Sequence, residues 1–200
     1  MQLVIDSATA ACSVALIEGG RVLEERHEVV GRGHAERLAP MIEELLAGRK
    51  PASILVDCGP GSFTGVRVGL AAAHGLAIGW QVPLAGYSSM AALAAEAGRK
   101  PDVAVALHGG HGQLFVQSYG THPIQPLDDL RSLYPEEAAA AVTARVVVGT
   151  GAEDLVRLRG YGEAVDALPR ASIAARLPAA MTSLPPRPIY GRGADAKPMM

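Results

Sequence analysis

The stretch Cys58-Gly59-Pro60-Gly61-Ser62-Phe63-Thr64-Gly65-Val66-Arg67-Val68-Gly69 constrains the fold of this chain more than any other. An apolar run, Ser53-Ile54-Leu55-Val56-Asp57, precedes it and reads as a buried strand. A small-residue helix follows, from about Thr64 to Trp80. The glycines permit backbone angles and close approaches that a side chain would block. Pro60 stiffens the turn, and Ser62 or Thr64 can cap the helix. Strand, glycine turn and helix N-terminus make an anion-binding geometry, because free N–H groups and the helix dipole meet at one spot. The same residues also make a tight turn that seats a helix. No lysine follows as in a Gly-x-x-x-x-Gly-Lys-Ser/Thr phosphate loop, and the glycine spacing is not that of a dinucleotide fingerprint.

The helix after the turn is unusual. Between Asp57 and Glu96 the only formally charged residue is Arg67. A helix apolar nearly all round is covered on more than one side. Its own sheet accounts for one; the preceding helix or another protein must account for the rest. That preceding helix, Gly33 to Leu46, carries Leu38, Met41, Ile42, Leu45 and Leu46 at three- and four-residue steps, an amphipathic stripe. Contiguous exposed apolar surface usually marks a partner.

Bulk composition excludes several classes. With 49% hydrophobic and 19% charged residues the chain is globular rather than disordered. A net charge of -2 gives no basic balance for nucleic acid. Two cysteines, Cys12 and Cys58, are too few for a disulfide framework and form no zinc pattern. The N-terminus has no signal-peptide core, and the apolar helix, broken by Arg67, His74 and glycines, falls short of a membrane span. These features point to a cytoplasmic protein with no membrane contact.

In chain order, three strands open the sequence (Leu3–Asp6, Cys12–Ile17, Arg21–Val29), followed by helix, strand, helix, a short strand at 83–87 and a helix at 89–97. Gly98-Arg99-Lys100-Pro101 is the best boundary. The second half repeats the pattern more weakly: strands at 102–107, 113–119 and 145–148, helices at 128–141 in two pieces, to about 158, and at 171–181, then a loose tail from Pro185. The reading is an α/β chain of duplicated βββαβα units, with lobes at 1–99 and 100–200, in the two-lobed actin-like (ASKHA, ribonuclease H-like) fold.

Three segments carry a specific resemblance: Ile5-Asp6-Ser7-Ala8-Thr9-Ala10-Ala11-Cys12-Ser13-Val14-Ala15-Leu16, Gly33-His34-Ala35-Glu36-Arg37-Leu38-Ala39-Pro40-Met41-Ile42, and Gly59 to Gly69. In that order they resemble the TsaB (YeaZ) family of tRNA threonylcarbamoyladenosine biosynthesis, once labelled M22 glycoproteases. The likeness covers residues 1–95 well and thins afterwards to Val148-Gly149-Thr150-Gly151 and Pro188-Ile189-Tyr190-Gly191-Arg192. It implies an actin-like chain without catalysis or cofactor of its own. Its partner TsaD would hold ATP-type nucleotide and metal and modify ANN-decoding tRNAs; the ATPase TsaE would join the pair, and tRNA would be met only through the complex. First-lobe helices would contact TsaD or a second copy of the chain. One departure stands out: where the family carries an Asp-Ala-Arg turn, this chain has Leu107-His108-Gly109-Gly110-His111-Gly112.

The expected partner face is Leu38, Met41, Ile42 and Leu45 on the first helix, with Arg67, Gly69, Ala72, Ala73 and Leu76 on the second. The candidate anion site is Asp6, Ser7, Thr9, Gly59, Gly61, Ser62 and Thr64. Asp6 reads either as a metal-and-water carboxylate or as a strand-end Asp bonded to nearby N–H groups. His108 replaces the acid that magnesium would need in the second lobe, which favours the structural role. His108 and His111 lack a third ligand, so no metal site is expected. No local Ser-His-Asp or Cys-His signature emerges, and no catalytic residue is assigned. Two other functions remain open: a small ATP-dependent phosphotransferase of the same fold, and an M22-type metallopeptidase.

Overall fold

The computed structural model describes residues 1–98 and 102–191. The expected boundary at Arg99-Lys100-Pro101, and Arg192, lie outside the described residues. The first lobe is a five-stranded sheet of β1 (Gln2–Asp6), β2 (Ala11–Glu18), β3 (Arg21–Val29), β4 (Ser53–Asp57) and β5 (Leu84–Tyr87), in the order β3-β2-β1-β4-β5. β1 to β3 are antiparallel neighbours; β4 and β5 add in parallel. The crossovers are α1 (His34–Leu46) and α2 (Phe63–Trp80).

After α3 (Ser89–Glu96), the second lobe repeats this plan. Its strands are β6 (Asp102–His108), β7 (Leu114–Thr121), β8 (Ile124–Pro126), β9 (Arg131–Leu133), β10 (Val146–Val148) and β11 (Glu163–Val165), with helices α4 (Pro135–Ala141) and α5 (Ala152–Arg159). The order β11-β10-β6-β7-β8 matches the first sheet read from its other edge: two antiparallel and two parallel steps around the first strand of the lobe. The duplicated, two-lobed actin-like α/β fold is therefore present.

Strand alternation sets the layers. Leu3 and Ile5 of β1 face α1 and α2, whereas Val4 faces α3 and the second lobe. Val103, Val105 and Leu107 of β6 face that same middle core; Ala104 and Ala106 turn to α4 and α5. α3 is buried throughout its apolar length because it is sandwiched between the sheets.

Three sequence expectations are corrected in the second lobe. Residues 128–134 are not helical: 131–133 pair with β7, and the helix starts at Pro135, which has no N–H to lose at a first-turn position. The segment 171–181 forms two short 3-10 turns, Ala171–Arg176 and Ala179–Met181, split by Pro178. The tail is docked up to Gly191. Gly86 and Leu184 exchange backbone hydrogen bonds, and the Ile189 N–H donates to the Cys58 carbonyl at 2.8 Å.

Candidate functional site

The glycine turn packs α2 against the turn between β1 and β2. Gly59 has φ +90°, a conformation L side chains rarely adopt. A Cβ on Gly61 would strike the Ala8 carbonyl, one on Gly65 the Ser7 carbonyl, and one on Gly69 the Ser7 hydroxyl. Ser62 Oγ caps the helix by accepting from the Gly65 N–H at 3.2 Å. Ser7 Oγ donates to the Gly65 carbonyl at 2.9 Å. This glycine stripe is what lets the helix lie so close.

Gly65, Val66, Gly69, Leu70 and Ala73 form the buried side of α2. Its opposite side stays open. Together with α1 it forms a groove of about 680 Å³ lined by Ile42, Leu46, Ala72, Gly75, Leu76 and Trp80 among others, with Glu43, Arg49 and Lys50 also lining it. The structure thereby divides the expected partner face. Ile42, Ala72 and Leu76 line the groove. Leu38, Met41, Leu45 and Ala73 are buried in the lobe's own core, and Gly69 faces Ser7, so none of these five presents surface. Arg67 lies elsewhere, at the cleft described below. Trp80 and Leu46 join the groove; the chain's sole tryptophan, closing an apolar helix, was the signal for Trp80.

The two carboxylates at the strand ends are sealed. The parallel register of β1 and β4 sets Asp6 beside Asp57, both buried. Tyr87 Oη donates to Asp6 Oδ2 at 2.8 Å; Asp57 accepts from the Gly59 N–H at 2.8 Å and from Ser89 Oγ at 2.6 Å. Burial pushes the Asp6 carboxyl up to about 6. Burial, and then the neighbouring Asp6 charge, raise Asp57 well above the usual carboxylate range. Two adjacent buried carboxyls cannot both ionise cheaply, so one holds a proton that the other can accept.

Asp6 therefore does not reach solvent, which corrects its candidacy for anion binding, as burial does for Ser7 and Gly59. Thr64 lies outside the cleft. Thr9, Gly61 and Ser62 are the expected residues that do line it. The cleft runs between the lobes, with a volume of about 530 Å³. Arg67 closes one side: its Nη1 donates to the Phe63 carbonyl at 2.9 Å and its Nη2 to Tyr190 Oη at 2.7 Å, while the guanidinium stacks 3.3 Å from the Phe63 ring centroid. On the other side His108 Nε2 contacts Asp154 Oδ2 at 3.0 Å, and the His108 N–H donates to Thr150 Oγ1 at 3.1 Å.

Among the described residues no three His, Cys, Asp or Glu side chains gather as a metal would require, and no helix is long and apolar enough to cross a membrane. A profile of TsaD, tRNA N6-adenosine threonylcarbamoyltransferase, matches residues 25–168. The solved structure of YeaZ from Pseudomonas aeruginosa superposes with a TM-score of 0.77 at 34% identity, covering 88% of this chain and 89% of that one. The chain belongs to the TsaB/YeaZ family. The tRNA threonylcarbamoyladenosine biosynthesis protein TsaB of Escherichia coli is 37% identical over 125 residues, 58% of this chain and 54% of its own length; that of Haemophilus influenzae is 44% identical over 99 residues, 46% of this chain and 41% of its own. The chain thus spans about half the length of these TsaB relatives.

Proposed function

We propose that this chain is the non-catalytic partner of a TsaD-type threonylcarbamoyltransferase, which it binds and activates for threonylcarbamoyladenosine modification of ANN-decoding tRNAs. The carrying observation is the open face of α1 and α2. Half-buried Ala72, Leu76 and Trp80, with the edges of the buried Ile42 and Leu46, line an apolar groove between two helices whose inner sides pack on the sheet. Ile78, 77% exposed, extends the apolar surface along α2. Small residues on α2 let a second pair of helices approach closely, the arrangement of a shared four-helix bundle. Lys50 at the rim suits an acidic residue on the opposing helices, whereas Arg49 beside it is already paired with Glu24.

TsaD occupies this face in the working complex, and a second copy of the chain can use it when TsaD is absent. TsaE joins the TsaB–TsaD pair. Nucleotide and metal belong to those partners, and tRNA is met through the assembly, in the cytoplasm. The TsaB names of the relatives and the likeness to the TsaD profile support this reading. So does the sealing of Asp6 and Asp57, which leaves neither carboxylate free to hold a metal–nucleotide.

Co-purification with the TsaD protein of the same cell tests the proposal. Ala72 packs partly against the core, so the cleaner variant is Ala71→Glu, at an exposed position of the same groove; it is expected to weaken co-elution at least tenfold while leaving the thermal midpoint within a few degrees. Wild-type-like co-elution of this variant would overturn it. Gly69→Arg is unsuitable, because that position faces Ser7 rather than the groove.

A further inference from the structure

We infer that residues 184–191 form a releasable strap that clamps the flank of α2 and, through it, controls docking on the open groove. The clamp stands on geometry alone; its effect on docking rests on the groove being the TsaD face. α2 carries a single formal charge, Arg67, and a single imidazole, His74. Seven positions apart, nearly two full turns, they lie on one flank of the helix. Both reach the returning segment: Arg67 Nη2 donates to the Tyr190 hydroxyl at 2.7 Å, and His74 Nε2 to the Pro186 carbonyl at 3.0 Å. Two turns of helix rise about 10.5 Å, and the four residues from Pro186 to Tyr190 reach at most about 14 Å. The segment therefore runs antiparallel to α2, with its anchors spaced to match the two side chains. Ala71 and Gly75, on either side of His74 along the helix, line the groove, so the clamp lies directly beside the docking face.

The strap is built to open without the lobes unfolding. On the sheet side its backbone bonds lie near its two ends: Leu184 pairs with Gly86, and the Ile189 N–H donates to the Cys58 carbonyl. Pro185, Pro186 and Pro188 between them have no N–H, so the segment cannot zip onto β5 as a further strand. Pro185, Arg187 and Tyr190 are exposed. A segment so lightly bonded opens at a lower free energy than the sheet beneath it. Its prolines also limit the freedom of the released chain, so reseating it loses little entropy. At its far end Gly191 lies so close to the Phe115 ring that a Cβ would strike it. The seated strap thus joins the second lobe to α2. When released, α2 keeps its sheet face but loses the support of this flank.

Amide hydrogen exchange on the full chain, read by NMR, tests the strap. In the wild type the Ile189 and Gly86 amides are expected to exchange faster than those of Val4 and Val56 in the sheet centre. The double variant His74→Ala, Tyr190→Phe removes both side-chain anchors, and neither residue contributes to the groove lining. It is expected to speed Ile189 and Gly86 exchange about tenfold, leave Val4 and Val56 unchanged, and keep the thermal midpoint within a few degrees. Its affinity for TsaD is expected to fall at least about threefold. Ile189 exchanging as slowly as Val4, or exchange unaltered by the double substitution, would overturn the strap. Faster exchange with wild-type affinity for TsaD would overturn its control of docking. Ala71→Glu run alongside separates the two readings: if that variant also binds like wild type, the groove is not the TsaD face and the docking role falls with it, while the exchange rates still decide the strap.

Discussion

Asp6 and Asp57 sit at the ends of adjacent parallel strands, where an actin-like enzyme would expose a carboxylate to its ligand. Here both are covered, and the glycine turn that covers them is held by one of them, through the Gly59 N–H. Asp6 Oδ1 is buried without a hydrogen-bond partner among the described residues unless a proton lies between the pair. The folded state therefore binds a proton that the unfolded chain has released above its ordinary carboxylate range. The sign follows: stability from this pair is complete at low pH and is lost as pH rises through the raised folded values. His27, held low by burial and Arg170, works in the opposite direction but only below its ordinary value of 6.5. Asp57→Asn keeps the shape and removes one ionisation. Comparing the two proteins cancels the His27 contribution. Denaturant melts should show wild-type stability, relative to the variant, falling as pH rises from the ordinary carboxylate range through about 6, the value to which Asp6 is raised. Parallel pH profiles for the two proteins would contradict this account.

At the scale of elements, α2 carries the argument, and its glycines do two different jobs. Gly65 is where the helix touches the Ser7 carbonyl. Gly79 has nothing within 4 Å of a built Cβ. Gly65→Ala should therefore destabilise the lobe by about 1–3 kcal/mol, as overpacking does, whereas Gly79→Ala should stabilise it by about 0.5–1 kcal/mol through helix propensity. Thermal unfolding of the two variants checks both signs. The first lobe was legible in the sequence because its signals agree: the stripe of α1, an α2 whose one formal charge is Arg67, and strands bounded by glycine. The residues at the interface were less so. Leu38, Met41, Ile42 and Leu45 share one periodic stripe and all four are buried, so the stripe reports the core, and only the edge of Ile42 reaches the groove. In the second lobe, 128–134 has helical periodicity. Long-range bonds override it: Asp128 accepts from the Ser118 N–H at 2.7 Å and 131–133 complete the edge of β7. The cleft lay beyond sequence reasoning, since it joins Arg67 to Tyr190 across 123 positions of chain.

At the scale of the whole molecule, two fastenings hold the lobes in one arrangement. Glu25 of β3 accepts from Arg170 at 2.6 Å and from the Ser172 N–H at 3.0 Å, while the Ala171 N–H donates to Ser13 Oγ at 3.1 Å. Despite partial burial, which works to raise it, the Arg170 and Ser172 bonds hold the Glu25 carboxyl below its ordinary range, so this contact is fully ionised at neutral pH. The second fastening is the segment 184–191, which returns from the second lobe to Gly86, Cys58 and α2, where His74 Nε2 donates to the Pro186 carbonyl at 3.0 Å. α2 thus has one face on its sheet, its N-terminus at the cleft, its flank under the returning tail and its remaining face open. Lobes fastened in this way, with an open apolar groove on α1 and α2, are suited to assembly. The direct measurement is threonylcarbamoyladenosine formation on an ANN-decoding tRNA by reconstituted TsaD and TsaE from the same cell. It is run without this chain, with it, and with Leu76→Glu, which charges the open face of α2. The expected result is modification that depends on the chain and falls at least about tenfold with Leu76→Glu. Full modification without the chain, or with the variant in its place, would contradict the account.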